Sequence, residues 1–185
     1  MATKRDVVDL LLGQHQDVRR LITEISTATG NRKRDAFDEL VRLLAVHESA
    51  EEEIVHPVIR DMGARALVEA RLQEESEAKK ALAELYDLGV HHADFDAEFE
   101  AFATDVLVHA DHEEEDEFPR VREQVSLERR ERMVGAVEAA EAIAPTRPHP
   151  AAGESATANL IAGPPLALFD RVRDAVRDWS SKNRD

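Results

Sequence analysis

The sequence contains no cysteine, so disulfides, thiolate metal ligands and iron–sulfur clusters are excluded. Aromatic residues make up only 4% of the chain, and the alternation of Val, Ile and Thr that is typical of strands is absent. Ala, Leu, Glu and Arg dominate instead, and these residues favour helices. The composition therefore predicts an all-α protein.

Long apolar runs are also missing. No stretch approaches the ~20 residues that a membrane-spanning helix needs. The first residues, from Met1 to Asp6, lead directly into an amphipathic helix and not into the apolar core of a signal peptide. From these two absences we expect a soluble, cytoplasmic protein without a membrane partner.

Basic residues are outnumbered by acidic ones. The chain has 24 Lys and Arg against 39 Asp and Glu, which gives a formal net charge of −15. This balance argues against a nucleic-acid partner. Most of the acidic excess belongs on solvated helix faces. Part of it surrounds two His–Glu pairs, where it would raise the local concentration of cations.

Apolar residues recur at helical spacing in four long segments, which glycine-containing turns separate. We predict helices over residues 4–29, 32–62 and 64–88, and a fourth from residue 94 onward. Because short connections make neighbouring helices antiparallel, this pattern predicts an up-down-up-down four-helix bundle over residues 1–125. Pro57 and Pro119 lie inside the second and fourth helices and should kink or distort them.

The C-terminal part has a different composition. Ser126 is a plausible N-cap for an additional helix over residues 126–143. Five of the seven prolines then fall in residues 144–165, which we interpret as a Pro/Ala/Gly-rich linker. Residues 166–181 form a last amphipathic helix with Phe169 and Trp179 on its apolar stripe. This helix should dock on its own bundle or on a protein partner.

Two pairs of ionisable residues stand where the helical pattern calls for apolar ones. His47 and Glu51 continue the apolar stripe of the second predicted helix, and His109 and Glu113 continue that of the fourth. A buried, unpaired carboxylate costs several kcal/mol, so a compensating partner is needed. Residues four apart lie on one helix face and can reach a single ion. The repeated His-x-x-x-Glu pair therefore predicts a metal site.

The first and third helices each offer one further candidate, because His15 and Glu75 also lie on apolar stripes. Glu74 is a poorer candidate than Glu75 by its angular position. Three imidazoles and three carboxylates are too many for one zinc ion but suit two ions that share carboxylates. Mixed imidazole and carboxylate ligands favour iron, with manganese as the main competitor. The predicted metal ligands are His15, His47, Glu51, Glu75, His109 and Glu113.

The remaining histidines and glutamates are given ordinary surface roles. His56, His91, His92 and His149 are interpreted as surface residues, and His112 as an exposed residue that could flank the site. The other glutamates near the two pairs are expected to form a solvated rim: Glu48, Glu52, Glu53, Glu114 and Glu115.

The double His-x-x-x-Glu motif with its preceding lone ligands resembles the hemerythrin-like family, also called the HHE cation-binding domain. The resemblance covers roughly residues 5–125, and Glu75 stands where the family usually has a histidine. It implies a hemerythrin-like four-helix bundle with a non-haem di-iron centre that reacts with or senses O2, peroxide or NO. The extra carboxylate should favour ferric iron, so redox chemistry or iron sensing is a better hypothesis than reversible oxygen transport.

Three functional hypotheses follow from this pattern. The first is di-iron chemistry on O2, peroxide or NO, including a weak peroxidase or catalase activity. The second is storage or sensing of iron or another cation, with a signal that passes through the C-terminal helix to a protein partner. The third is a structural bundle with a hydrogen-bonded polar core and no metal.

Overall fold

The computed structural model of the chain describes residues 5–143 and 165–183, and these residues contain helices and no strands. The helices are α1 (Val7–Thr27), α2 (Gly30–Ala50), α3 (His56–Asp61), α4 (Arg65–Leu88), α5 (Phe95–His112), α6 (Phe118–Gln124), α7 (Leu127–Ile143) and α8 (Pro165–Lys182). A first π segment, Glu51–Val55, joins α2 to α3, and a second, Glu113–Glu117, joins α5 to α6. The predicted all-α class is therefore confirmed.

Four rods make the bundle: α1, α2 with α3, α4, and α5 with α6. The first rod packs on the second and the third on the fourth, and α1 also contacts α5. Asp6 begins α1 through a capping box with Asp9, which satisfies backbone donors of the first turn. Gly89 ends α4 with a φ of 80°, a conformation that side-chain-bearing residues rarely adopt. The predicted up-down-up-down bundle is the observed one.

The distortion expected at Pro57 and Pro119 takes the form of the two π segments. A proline lacks a backbone donor, and its ring crowds the carbonyl four residues earlier. The carbonyls four residues before Pro57 and Pro119 lie within the two π segments, where the helix is wider. The backbone N–H of His56 bonds to the carbonyl of Glu51, and that of Phe118 bonds to Glu113. Each wide turn therefore begins at the glutamate of a His-x-x-x-Glu pair.

The interior of the bundle is apolar at one end and polar at the other. Aromatic rings fill the apolar end, where Phe95 lies 5.3 Å from Phe37 and 5.7 Å from Phe99 between ring centroids. These residues lie in the first turns of α5 and in the first half of α2. The polar end lies at the two π segments, about four helical turns beyond Phe37 on α2 and beyond Phe99 on α5.

The C-terminal helices cover one side of this bundle. α8 packs on α2, α4, α7 and the first π segment, with Phe169, Val172 and Val176 buried on its inner face. Burial of each such side chain contributes about 1.5–3 kcal/mol before entropy costs. The predicted linker over residues 144–165 lies outside the described residues except for Pro165, which begins α8. No helix in residues 5–143 or 165–183 is long and apolar enough to cross a bilayer.

Candidate metal centre

Four buried side chains converge at the polar end of the bundle and form what we call the first group. It consists of His15, His47, Glu51 and Glu113, and one ligand atom from each lies within 4.8 Å of the others. The Nε2 atom of His15 is 3.0 Å from Nε2 of His47 and 3.1 Å from Oε2 of Glu113. The Nε2 atom of His47 is also 3.2 Å from Oε2 of Glu51.

Hydrogen bonds on the outer side fix the tautomers of the two imidazoles. Nδ1 of His47 donates to Oε1 of Gln14 at 3.0 Å, and Nδ1 of His15 donates to Oε1 of Glu114 at 2.7 Å. Burial lowers the pKa of His47 to about 4, so this ring is neutral near pH 7. Its Nε2 lone pair therefore points at other acceptor atoms, an arrangement that a cation between them would stabilise.

A second group lies on the other side of Glu113. His56, Glu75 and Glu113 bring ligand atoms within 4.8 Å of one another, and so do Glu48, Glu75 and His109. Nε2 of His109 is 3.0 Å from Oε1 of Glu113. Glu113 thus directs one carboxylate oxygen at each group, Oε2 at His15 and Oε1 at His109.

Several carboxyl groups of this cluster lie close together in a buried space, which disfavours their ionised forms. Burial, and then the charge of Glu113, raise the pKa of Glu51 well above its usual range. Burial and the charge of Glu48 raise the pKa of Glu75 to about 10, and burial and Glu113 raise that of Glu117 to about 7. In each case the shift favours the protonated form, because burial and neighbouring like charges disfavour the ionised one. A bound cation would remove that penalty.

His109, in contrast to these carboxyl groups, favours its charged form. Burial works to lower its pKa, but the charge and hydrogen bond of Glu113, together with Glu48 and Glu74, outweigh burial and raise the pKa to about 10. Burial likewise opposes ionisation of Glu113, yet the charge of His109 holds the pKa of Glu113 well below its usual range. In the metal-free protein these two residues form an ion pair. A metal ion that takes Nε2 of His109 must therefore displace a proton.

A lysine and an arginine stand in matching positions around the cluster. The ammonium of Lys79 pairs with Glu52 and lies 3.5 Å from Glu75 and 3.8 Å from Glu48. The guanidinium of Arg19 donates to Glu114 at 2.8 Å. Arg19 follows His15 by four residues and Lys79 follows Glu75 by four, so the surroundings of the two lone candidates repeat.

All six residues predicted from the sequence meet in this cluster. Their side chains are buried, although their assignment as metal ligands stays a prediction. Helical periodicity found them because every one of them replaces an apolar residue on a stripe that faces the core.

Two surface interpretations were wrong. His56 is 0% exposed and Glu48 is 3% exposed, and both lie in the cluster. In an α-helix His56 would point about 140° away from Glu51, five residues earlier. The first π segment widens this turn and reduces the angle between residues five apart, so α-helical spacing could not have placed His56 in the site. The repeat offered one signal, because His56 precedes Pro57 as the buried Phe118 precedes Pro119.

His112 and Glu74, which lie beside the six predicted ligands, also have hydrogen-bond partners. His112 has a side chain that is 41% exposed, as the sequence predicted, and its Nδ1 donates to Glu74. The carboxylate of Glu74 also accepts from Nδ1 of His109 at 2.9 Å. Glu74 therefore orients His109 from outside the cluster and is not among the residues that converge inside it.

The last helix reaches the rim of the cluster. Arg173 of α8 lies 3.0 Å from Glu52, the same carboxylate that pairs with Lys79. Arg177 donates to Glu53 at 2.8 Å. The Lys79 ammonium lies 5.4 Å from the ring centroid of Phe169. Two basic residues of α8 thus contact the acidic run that follows Glu51.

A small cavity leads from the surface to the second group. Its volume is about 150 Å³, and its lining includes Glu48, Val106 and His109 together with the exposed Asp105. Molecules of a few atoms fit such a space.

Comparison with known proteins gives one family match. Residues 6–121 match the model of the Hemerythrin HHE cation binding domain. A curated relative from Nostoc sp. (strain PCC 7120 / SAG 25.82 / UTEX 2576), named DNA nickase, is 25% identical over 136 residues. The match covers 73% of this chain and 39% of the relative, so the chain spans well under half of that protein. No solved structure matches.

Proposed function

Because the chain belongs to the hemerythrin HHE cation-binding domain family, we propose that its buried His/Glu cluster holds two iron ions. The observation that carries this proposal is the position of Glu113, with one oxygen 3.1 Å from His15 and the other 3.0 Å from His109. A carboxylate whose two oxygens face two separate groups of imidazole and carboxylate side chains would suit a centre that holds two cations. Manganese is the competing metal, since it accepts the same ligand types.

The side chains of each group have separate tasks in this proposal. His15, His47 and Glu51 hold the ion of the first group, and Glu75 and His109 hold that of the second. Gln14 and Glu74 keep the imidazoles of His47 and His109 directed inward through their Nδ1 hydrogen bonds.

We propose that the centre reacts with or senses O2, peroxide or NO. A bound iron pair would supply redox chemistry and open positions for such small molecules. The chain would admit them through the cavity beside His109, whose volume of about 150 Å³ excludes large substrates. Weak peroxidase or catalase activity is the enzymatic form of this proposal. DNA nicking is not included, because the relative with that name is matched over only 39% of its length.

Elemental analysis and the optical spectrum of protein from iron-supplemented cells test the proposal. We expect close to two irons per chain and near-ultraviolet bands that azide or peroxide perturbs. The variants His47→Ala and His109→Ala should each lose iron, while His91→Ala, which removes an exposed histidine, should keep it. A metal-free wild-type protein that neither iron nor manganese stabilises would overturn the proposal and leave a structural bundle.

A second candidate function is sensing of iron through α8. The specific observation is that Glu52 contacts both Lys79 beside the second group and Arg173 on α8. Metal binding that draws Lys79 away from its carboxylates would alter the same contact. Trp179, the only tryptophan of the chain, lies on α8 and reports its docking.

Fluorescence of Trp179 during anaerobic Fe²⁺ titration, with limited proteolysis of α8, tests the sensing function. Sensing predicts that occupancy of the centre changes both the emission maximum and the cleavage rate. If the metal binds and neither quantity changes, α8 has no signalling role. Redox-inactive Zn²⁺ serves as the control for quenching by iron itself.

A further inference from the structure

His56 is a buried imidazole whose hydrogen-bonding capacity goes unused. It is 0% exposed, and neither ring nitrogen has a hydrogen-bond partner within the described part of the chain. Its Nε2 lies 3.5 Å from Oε1 of Glu75 and 3.7 Å from Oε2 of Glu117. Burial of a polar group without a partner costs free energy. A ring held in this way therefore calls for a ligand.

The first π segment gives the ring its direction. Its wide turn joins the N–H of His56 to the carbonyl of Glu51, so these residues follow one another along one side of the helix. Both side chains are buried at the polar end of the bundle. The second π segment places Phe118 after Glu113 in the same way.

The two halves of the bundle share a set of matching contacts around the cluster. Gln14 receives the Nδ1 hydrogen bond of His47 as Glu74 receives that of His109. The residue before each proline contacts the lone candidate of the other half. Phe118 stacks on His15, with ring centroids 5.4 Å apart and planes 25° apart. His56 lies against Glu75.

The Phe118–His15 contact and the His56–Glu75 contact each contain one imidazole. The imidazole is on the lone candidate in the first contact and on the residue before the proline in the second. On one side the histidine is on the long first helix, and the residue before the proline is the aromatic Phe118. On the other side the long helix α4 carries Glu75, and the imidazole is on His56. The exchange keeps the number of imidazoles on each side equal.

We propose that His56 is a metal ligand of the second group. Its imidazole would have the same role there that the imidazole of His15 has in the first group. This inference rests on the proposed function. It gives the second group two imidazoles, His56 and His109, together with the carboxylates of Glu75 and Glu113. The centre is then less oxygen-rich than the six residues found from the sequence alone would make it.

If the imidazole has only changed its position, a substitution that removes it from residue 56 should be compensated by one that introduces it at residue 75. His56→Phe recreates on this side the aromatic residue that Phe118 provides on the other, and Glu75→His recreates His15. Metal stoichiometry by elemental analysis and Co²⁺ titration followed by visible absorption are the measurements, with circular dichroism to confirm folding. His91→Ala is the matched control, because it removes an exposed imidazole.

We expect two ions per chain in wild type and His91→Ala, about one in His56→Phe, and two again in the double variant His56→Phe/Glu75→His. Two ions in a folded His56→Phe protein would overturn the inference and leave the proposed function intact. No metal in wild type would overturn the proposed function itself.

A measurement that leaves His56 and Glu75 in place covers the case in which His56→Phe does not fold. With ¹⁵N-histidine labelling and diamagnetic Zn²⁺, Nε2 of a ligating His56 should shift in the manner of Nε2 of His47 and His109. Mutation of His91 and His92 simplifies the assignment. A His56 resonance that keeps its metal-free shift in the fully loaded protein would contradict the ligand assignment.

Discussion

Glu74 accepts a hydrogen bond from Nδ1 of His109 at 2.9 Å, and thereby holds the ring with Nε2 facing Glu113. Gln14 does the same for His47 with a neutral amide oxygen. A carboxylate and a neutral amide oxygen therefore both direct an imidazole ring by accepting its Nδ1 hydrogen bond. This relationship leads to the first prediction.

Glu74→Ala should weaken metal binding in the second group by roughly 10–100-fold, the usual effect of losing a partner that orients a ligand. Glu74→Gln should retain most of the affinity, since a glutamine already performs this task at His47. Competition with a chelator measures both affinities. Glu69→Gln, an exposed change on the same helix, is the control. Equal losses in the Ala and Gln variants would show that charge and not orientation is what Glu74 supplies.

Removal of metal should lower the stability of the protein. The cluster buries Glu51, Glu75 and Glu113 close together, and a ligand present at a hundred times its dissociation constant stabilises the folded state by about 2.7 kcal/mol. We expect the midpoint of thermal unfolding to rise on addition of Fe²⁺ or Mn²⁺ and to fall again with chelator. A midpoint that is insensitive to metal would contradict this.

Glu51→Gln should separate folding from metal binding. In the metal-free protein the pKa of Glu51 is raised by burial and by Glu113, so a neutral amide of the same shape suits the site at least as well. We expect the metal-free midpoint to stay the same or rise, while the metal-dependent increase disappears. A lower metal-free midpoint with an intact response to metal would show that Glu51 is structural.

Lys79→Met should have opposite effects on the metal-free and the loaded protein. Lys79 pairs with Glu52 and lies close to Glu48 and Glu75, and removal of one partner from a buried ionic cluster costs about 3 kcal/mol. The metal-free variant should therefore unfold at lower temperature. The second ion should bind more tightly, because no resident ammonium competes for Glu75. Lys80→Met, a neighbouring exposed change, controls for loss of charge. Weaker metal binding in the Lys79 variant would contradict the competition.

Gly135→Ala should disturb the docking of α8. A Cβ atom at residue 135 would lie 2.7 Å from Cζ2 of Trp179. Alanine favours a helix by about 1 kcal/mol over glycine, whereas overpacking costs about 1–3 kcal/mol. We expect a red shift of Trp179 emission and an unchanged or lower unfolding midpoint. Ala139→Gly, at a partly buried position four residues further along the same helix, should lower stability without the spectral change.

Helical periodicity explains why the sequence identified Glu75 as a candidate ligand but gave no role to Glu74. An α-helix places a residue on the core face by its position in a three-four repeat, and Glu75 meets that condition. Glu74 lies beside the stripe, where periodicity alone gives no role. Only the packing of α4 against α5 brings its carboxylate to Nδ1 of His109.

The sequence by itself determined the helical rods, their antiparallel order and the six candidate ligands, because all of these depend on α-helical spacing and on polar residues in apolar positions. The tertiary structure alone decided the place of His56, Glu48 and Lys79. A π turn changes the angle between residues five apart, and contacts among α2, α4 and α8 have no period in the sequence. The sequence therefore indicates most residues of the candidate centre, and the packing of the helices adds those that helical spacing does not reveal.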